Sequence, residues 1–491
     1  MRKKSITIFL AILLLSGINS AWGQSNWAQF RGPNGLGISS ETKELPVEFG
    51  ESKNMIWKTA VQPGNSSPCV WGDRIFLTGF TDNIMITYCI SANDGKIVWQ
   101  KSVTGNRTQR LHPNNTPATP TPVTDGERII VYFGPYGLIC YDYEGNMVWE
   151  RRLEEPQMLY GPSASPILAG DRLIFINDSN KDSYVEAIDP KSGNTIWKTM
   201  RKESFSGSWS SPMHYNNSGI DEIVIYGIWW MKAYDLKDGS ERWSVPGLTD
   251  EPCITPVYGD GLIFTTSYNM KTNPEVIGLP EFDELLEEYD KDSDRELTRE
   301  EVAPNKSILS RYDADGEGDH PLGGFFNFLD VDRSGKITVK EWAKMISFLN
   351  SFKQENALMA IKVGPDKNVE PEIVWKHNYG VPECPSPLYY DGRIYMVKNG
   401  GIVSCLVAKT GELVYQDKLR SRGPFYSSPV IGDGKIYVVS ARGTVTVFEP
   451  GDNLNILVNN ELNERTMATP AIIGGRIYIR TEKNIFAFGI K

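Results

Sequence analysis

Asp330, Asp332, Ser334 and Glu341 put side-chain oxygens at the first, third, fifth and twelfth places of a twelve-residue stretch, with Gly335 at the sixth and Ile337 at the eighth. That spacing suits a hard divalent cation. Calcium takes six to eight oxygens at ~2.4 Å, so carboxylates alternate along a tight loop that ends in a Glu offering both oxygens, and the seventh residue, here Lys336, contributes its carbonyl. A second stretch begins forty residues earlier with Asp290, Asp292, Asp294 and Glu296 and ends at Glu301, with Leu297 at its eighth place. Arg295 stands where glycine would make the sharp turn, which costs of order 1 kcal/mol if the backbone goes to positive φ. A weaker or distorted site is expected there.

Apolar residues at helical spacing flank both stretches: Phe282, Leu285, Leu286 and Tyr289 before the first, Phe325, Phe326, Phe328 and Leu329 before the second, and Trp342, Met345, Ile346 and Leu349 after it. Two such loops make an EF-hand pair, and the pattern predicts calcium as its ion. A further acidic run, Asp313, Asp315, Glu317 and Asp319, has nothing suitable at its twelfth place and reads as a solvated linker.

The rest of the chain is built on another period. Ser/Thr-Pro recurs at Pro68, Pro122, Pro166, Pro212, Pro256, Pro387, Pro429 and Pro470, at spacings of 54, 44, 46, 44, 131, 42 and 41 residues. After each marker come short alternating strands and glycine turns, as in Pro385 to Tyr415, and an aromatic closes most fourth strands: Trp99, Trp149, Trp197, Trp243, Trp375 and Tyr415. Strands this short cannot bury an apolar face alone, so the repeats must stack, and a period near 42 residues is the range of four-stranded propeller blades. Eight markers predict an all-β, eight-bladed β-propeller with a small α-helical insertion. Pro470 is followed by too little chain for a full blade, so Asn54 to Thr59 is expected to supply its outer strand and close the ring, which removes an open sheet edge. The 131-residue gap holds the insertion, between the second strand of the fifth blade (Gly261 to Ser267) and the third (Ala357 to Val363). The domains predicted are 24–271 and 354–491 for the propeller and 272–353 for the EF-hand pair.

The pattern A-x-D-x-x-x-G-x-x-x-W, present as Ala187, Asp189, Gly193, Trp197 and as Ala233, Asp235, Gly239, Trp243, resembles the tryptophan-docking repeat of the PQQ-binding-like β-propeller family, which includes quinoprotein alcohol dehydrogenases and the assembly lipoprotein BamB. The resemblance covers residues 25 to 271 and 354 to 491. It implies the fold and leaves activity open, because one repeat serves both enzymes and scaffolds.

Arg2, Lys3 and Lys4 precede an apolar run from Ile6 to Leu15, and Ala21-Trp22-Gly23 offers small residues for cleavage, so residues 1–23 read as a secretory signal peptide. The run is about half the ~20 residues needed to span a bilayer, and no membrane span is expected after cleavage. The protein is therefore predicted to be exported, periplasmic or secreted, and monomeric. Losing the three basic residues takes the formal charge from −10 to −13, of which residues 272–353, with 19 acidic against 10 basic side chains, carry −9. With no basic stripe, nucleic-acid binding is not expected. Trp27 to Gly37 reads as a lead-in that packs across one end of the ring.

Cys89, Cys140 and Cys405 take the repeat position held by Ala187 and Ala233 and read as small buried thiols. Cys253 and Cys384 lie three residues before the markers of adjacent blades, near enough for a disulfide to be one of the alternatives. Loops on the marker side collect Arg110, His112, Asn114, Asn115, Tyr160, Trp209, Arg420, Arg422, Tyr426 and Arg465, and Trp229 and Trp230 come from a loop after a second strand. Of these His112, Tyr160, Trp209, Trp230, Arg422 and Arg465 are the candidate ligand-binding set, facing a protein or glycan; the alternative is that the tryptophans only plug the channel. Two functions follow: an exported calcium-binding propeller acting as a binding or scaffold module, or a PQQ-dependent dehydrogenase of alcohols or sugars. The second is disfavoured, because no two cysteines are adjacent to form a lid over the quinone and there is no C-x-x-C-H haem site. PQQ is possible but not expected.

Overall fold

In a computed structural model, the structure describes residues 26–40, 43–105, 111–179, 181–201, 207–269, 272–277, 280–302, 307–311, 320–351, 354–421 and 423–490. The signal-peptide residues, Arg110, the run from Asp313 to Asp319 and Arg422 lie outside them.

Each marker opens an inner strand, and three further antiparallel strands follow outward, giving eight four-stranded sheets. In the first blade these are Cys69–Trp71, Arg74–Thr81, Ile84–Ser91 and Ile97–Thr104. The second and third strands are buried on both faces, whereas the fourth alternates between exposed and half-buried residues, as it must where only one face packs on a neighbour. The eighth blade is closed from the other end of the chain. Met55–Ala60 pairs antiparallel with Asn484–Gly489, with Trp57 opposite Ala487 and Thr59 opposite Ile485, so the expected closure is borne out.

Two features of the repeat hold the ring. The Trp57, Trp99, Trp149, Trp197 and Trp375 indoles each donate to a main-chain carbonyl of the next blade at 2.9–3.0 Å, satisfying a buried N–H. Each indole also lies over the turn glycine of that blade; a Cβ on Gly239, at φ 74°, would come within 2.4 Å of Trp197. Closer to the axis, the marker hydroxyls form a girdle. The Ser67 amide donates to Thr121 Oγ1, Thr121 to Ser165 and Ser165 to Ser211 at 2.9 Å each. Thr255 donates to Ser386, Ser386 to Ser428, Ser428 to Thr469 and Thr469 back to Ser67 at 2.9–3.0 Å. The marker therefore needs a hydroxyl that accepts from one neighbour, and a proline behind it whose missing N–H leaves no donor to satisfy.

The lead-in segment crosses beneath this girdle. Trp27 bridges to Val70 in the first blade, Ala28 accepts from the Thr124 amide in the second, Arg31 Nη2 donates to the Pro387 carbonyl at 2.7 Å in the sixth, and Ile38 bridges to Ile431 in the seventh. It packs across one end of the ring, as expected. Arg31 is fully buried there, with no carboxylate among the described residues paired to it.

The second and third strands of the fifth blade, Leu262–Ser267 and Ala357–Lys362, are neighbours in the sheet although a helical segment separates them in sequence. Among its described residues that segment carries three helices, α1 (Phe282–Tyr289), α2 (Leu322–Leu329) and α3 (Val339–Asn350), around an apolar core of Phe282, Leu285, Leu286, Phe326, Leu329 and Trp342. It touches the ring through Glu275, which accepts from the Lys398 ammonium and from the Gly380 amide at 2.8 Å each. Lys398 is only 3% exposed. Because Ser267 already pairs with Ala357, a short turn replacing residues 276–353 should leave a folded ring with unchanged β-type circular dichroism. Removing Glu275 as well should destabilise it, because a buried ammonium then loses its carboxylate, and Lys398→Met should restore the loss. Insolubility of the first variant would count against this placement.

Candidate functional site

Two regions gather the residues singled out in the sequence. In the helical insertion the two acidic loops share much of their internal wiring. Asp290 accepts from the amides of Ser293 and Arg295 at 2.7 and 2.9 Å, and Asp330 accepts from the Gly335 amide at 2.9 Å. Glu301 accepts from the amides of Lys291 and Thr298 at 3.0 and 2.9 Å; Glu341 accepts from those of Val331 and Thr338 at 2.9 Å each. A short antiparallel pair joins the loops, with Leu297 opposite Ile337 and both side chains fully buried.

Ligand oxygens of Asp290, Asp292 and Asp294 lie within 4.8 Å of one another, as do those of Asp330, Asp332 and Glu341. Ser334 Oγ sits 3.4 Å from Asp330 Oδ1. Hydrogen bonds donated by the Thr298 amide and hydroxyl hold the Glu301 carboxyl below its ordinary range, and hydrogen bonds from Ser334 do the same for Asp332. The loops differ where the sequence differs. Arg295 takes φ 63° where Gly335 takes φ 83°, and the Lys336 ammonium reaches across to Asp294 and, at 2.9 Å, to Glu296. A cation in the first loop would compete with that ammonium.

The second region is a cavity of about 560 Å³ on the axis of the ring, on the marker side, lined by the girdle hydroxyls and by the loops before the markers. Phe30 of the lead-in segment also lines it. His112, Tyr160 and Trp209 meet in its wall, with ring centroids 5.2 Å apart for the first pair and 5.0 Å for the second. The Trp209 indole donates to the Gly161 carbonyl at 2.9 Å, which fixes the ring. Tyr160 donates its hydroxyl to Glu251 at 3.0 Å, and burial together with that carboxylate pushes the phenol upward. Asn115 Nδ2 donates to the Tyr160 carbonyl at 2.7 Å, and Asn114 Nδ2 to the Tyr426 hydroxyl at 2.7 Å.

Other candidates fall elsewhere. Trp230 lies on the third strand of the fourth blade, Trp230–Asp235, opposite Pro246 and 5.6 Å from the Lys232 ammonium, not in the cavity wall. Arg465 stands at the rim in a smaller crevice with Arg480, and donates to Asn114 Oδ1 at 2.6 Å. Glu251 and Glu383, which line the cavity, were not singled out in the sequence, although they sit five and four residues before a marker proline, where the wall-forming loops are.

Among the described residues no helix is long and apolar enough to cross a membrane. The protein-family model described as outer membrane protein assembly factor BamB matches residues 47–213, 369–454 and 400–488. BamB from Moraxella catarrhalis superposes with a TM-score of 0.54 at 12% identity, over 89% of this chain and 99% of that one. A europium-containing methanol dehydrogenase gives 0.53 at 11% identity, over 95% and 98%. The quinohemoprotein alcohol dehydrogenase from Comamonas testosteroni gives 0.51 at 12%, over 95% and 81%. At these identities the likeness is one of fold. No curated protein matches in sequence.

Proposed function

The chain belongs to the family of the outer membrane protein assembly factor BamB, and from that premise we propose that it is an exported calcium-binding propeller that works as a binding module, with an EF-hand pair set into its fifth blade. One observation carries this reading: two acidic loops whose closing Glu residues make matching hydrogen bonds, joined through Leu297 and Ile337, with their carboxylates already gathered. Asp330, Asp332, Ser334, Glu341 and the Lys336 carbonyl would hold one calcium; Asp290, Asp292, Asp294, Glu301 and the carbonyl of Glu296 would hold a second, more weakly. Calcium there supplies rigidity and charge balance to a segment whose formal charge is strongly negative.

The ligand of the module belongs in the cavity. Aromatic faces at Tyr160 and Trp209, amides at Asn65, Asn114 and Asn115 and a ring of hydroxyls suit an uncharged polyhydroxylated molecule of the glycan class. Among the described residues the lining holds Glu251 and Glu383 and no Lys or Arg, a balance opposed to a quinone bearing several carboxylates. PQQ does not fit this wall, and no redox step is assigned to it. Titrating the protein with neutral oligosaccharides should change tryptophan fluorescence saturably, and Trp209→Ala should weaken binding by roughly 10-fold or more, the cost of one stacking face. Saturable binding of a partner protein but of no oligosaccharide would turn the module toward a scaffold role. Binding of PQQ with steady dye reduction would overturn it.

A further inference from the structure

Cys253 and Cys384 both face the central cavity, although they come from different blades and lie on opposite sides of the helical insertion in sequence. Their strands are tied in equivalent register: two residues beyond each cysteine, the Thr255 amide donates to Ser386 Oγ at 2.9 Å, across 131 residues of sequence. Both thiols line the same cavity wall, at equivalent positions of neighbouring inner strands. They are set apart from Cys69, Cys89, Cys140 and Cys405, which are buried in the packed cores between blades.

We propose that Cys253 and Cys384 are a dithiol–disulfide pair in the cavity wall, and that its oxidation clasps the fifth blade covalently to the sixth. The chemistry needs a disulfide-bearing oxidant. A thiolate of the pair attacks one sulfur of the oxidant and releases a thiol; the second cysteine then attacks the mixed disulfide and releases the other thiol. Two electrons pass to the oxidant, one S–S bond breaks and one forms, and the two protons end on the released thiols. The clasp spans the junction from which the insertion departs, where the ring has the longest excursion of chain to constrain, so oxidation removes more freedom from the unfolded chain here than a local bridge would. It also changes the cavity, because the pair shares its wall with Tyr160 and Tyr426 and replaces two donors with an apolar S–S face. Contact with Cys253, followed by burial, pushes the Cys384 thiol up, so formation of the bond should accelerate as pH rises toward that of the thiolate.

The experiment treats the folded full-length chain with oxidised glutathione, then alkylates it and maps peptides by mass spectrometry. The expected result is loss of two hydrogens and one cross-linked peptide containing Cys253 and Cys384, with the other four of the six cysteines alkylated only after unfolding. The oxidised protein should melt at a higher temperature than the reduced one, and the shift should vanish in Cys253→Ser/Cys384→Ser. Separate glutathione adducts on both cysteines, or free alkylation of both after oxidation, would overturn the proposal. So would an equal melting shift in the double variant. Should that variant not fold, the peptide map of the wild type decides alone.

Discussion

Glu341→Gln is expected to abolish the tighter of two calcium-binding transitions in calorimetry, weakening it on the order of 100-fold or more and leaving the looser one. The carboxylate is 6% exposed. One of its oxygens accepts from the Val331 amide at 2.9 Å, and the other accepts from the amide and hydroxyl of Thr338 at 2.9 Å each. A glutamine keeps the shape but removes the charge and turns an NH2 toward one of those donors, so the loop loses both a bidentate ligand and the group that folds it. The rise in melting temperature on adding calcium should shrink accordingly, since only binding to the folded state stabilises. Glu301→Gln should affect the looser transition alone, because Arg295 at φ 63° and the Lys336 ammonium already handicap that loop. Identical calcium binding by wild type and Glu341→Gln would remove the basis of the calcium assignment.

Asp178→Ala is expected to destabilise the ring by about 3–5 kcal/mol, read as a lower urea midpoint. Arg201 donates to the two oxygens of Asp178 at 2.8 and 3.2 Å and to the Tyr234 hydroxyl of the next blade at 2.9 Å. The side chains are 6% and 0% exposed. Burial alone would lower the guanidinium, but Asp178 and Tyr234 outweigh it and the net shift is upward, so the cation stays charged. Without the carboxylate it is a buried charge held only by a phenol. Asp178→Ala/Arg201→Met should therefore recover much of the loss, because replacing both members avoids the uncompensated charge. A double variant no more stable than the single one would mean that the pair acts through packing alone.

The architecture was legible because a propeller is written one blade at a time. Each marker, turn glycine and outer-strand tryptophan acts on its immediate neighbour, so the count of blades, the gap in the fifth and the outer strand of the eighth follow from local spacing. The acidic loops were legible for the same reason: the carboxylates of each fall within a dozen residues. Closure shows the limit of such reading. Met55–Ala60 could be assigned to the last blade only because seven complete neighbours left one strand unfilled.

The cavity obeyed a different rule. Its wall is assembled from loops that the ring closure brings to one axis, so membership depends on where each loop turns rather than on residue type. His112, Tyr160 and Trp209 meet there, while Trp230, an equally plausible aromatic in sequence, is carried away on a third strand opposite Pro246. Glu251 and Glu383 enter the wall without any motif, and Phe30 arrives from the lead-in segment. The marker hydroxyl had no visible function until the ring showed that seven of the eight accept the amide of the preceding blade. Sequence alone determined what depends on nearest neighbours along the chain: the repeat, the loops and the order of strands. Only the tertiary structure decided which distant loops share the axis, because that is set by the closure of eight blades into one circle and leaves no mark at any single position.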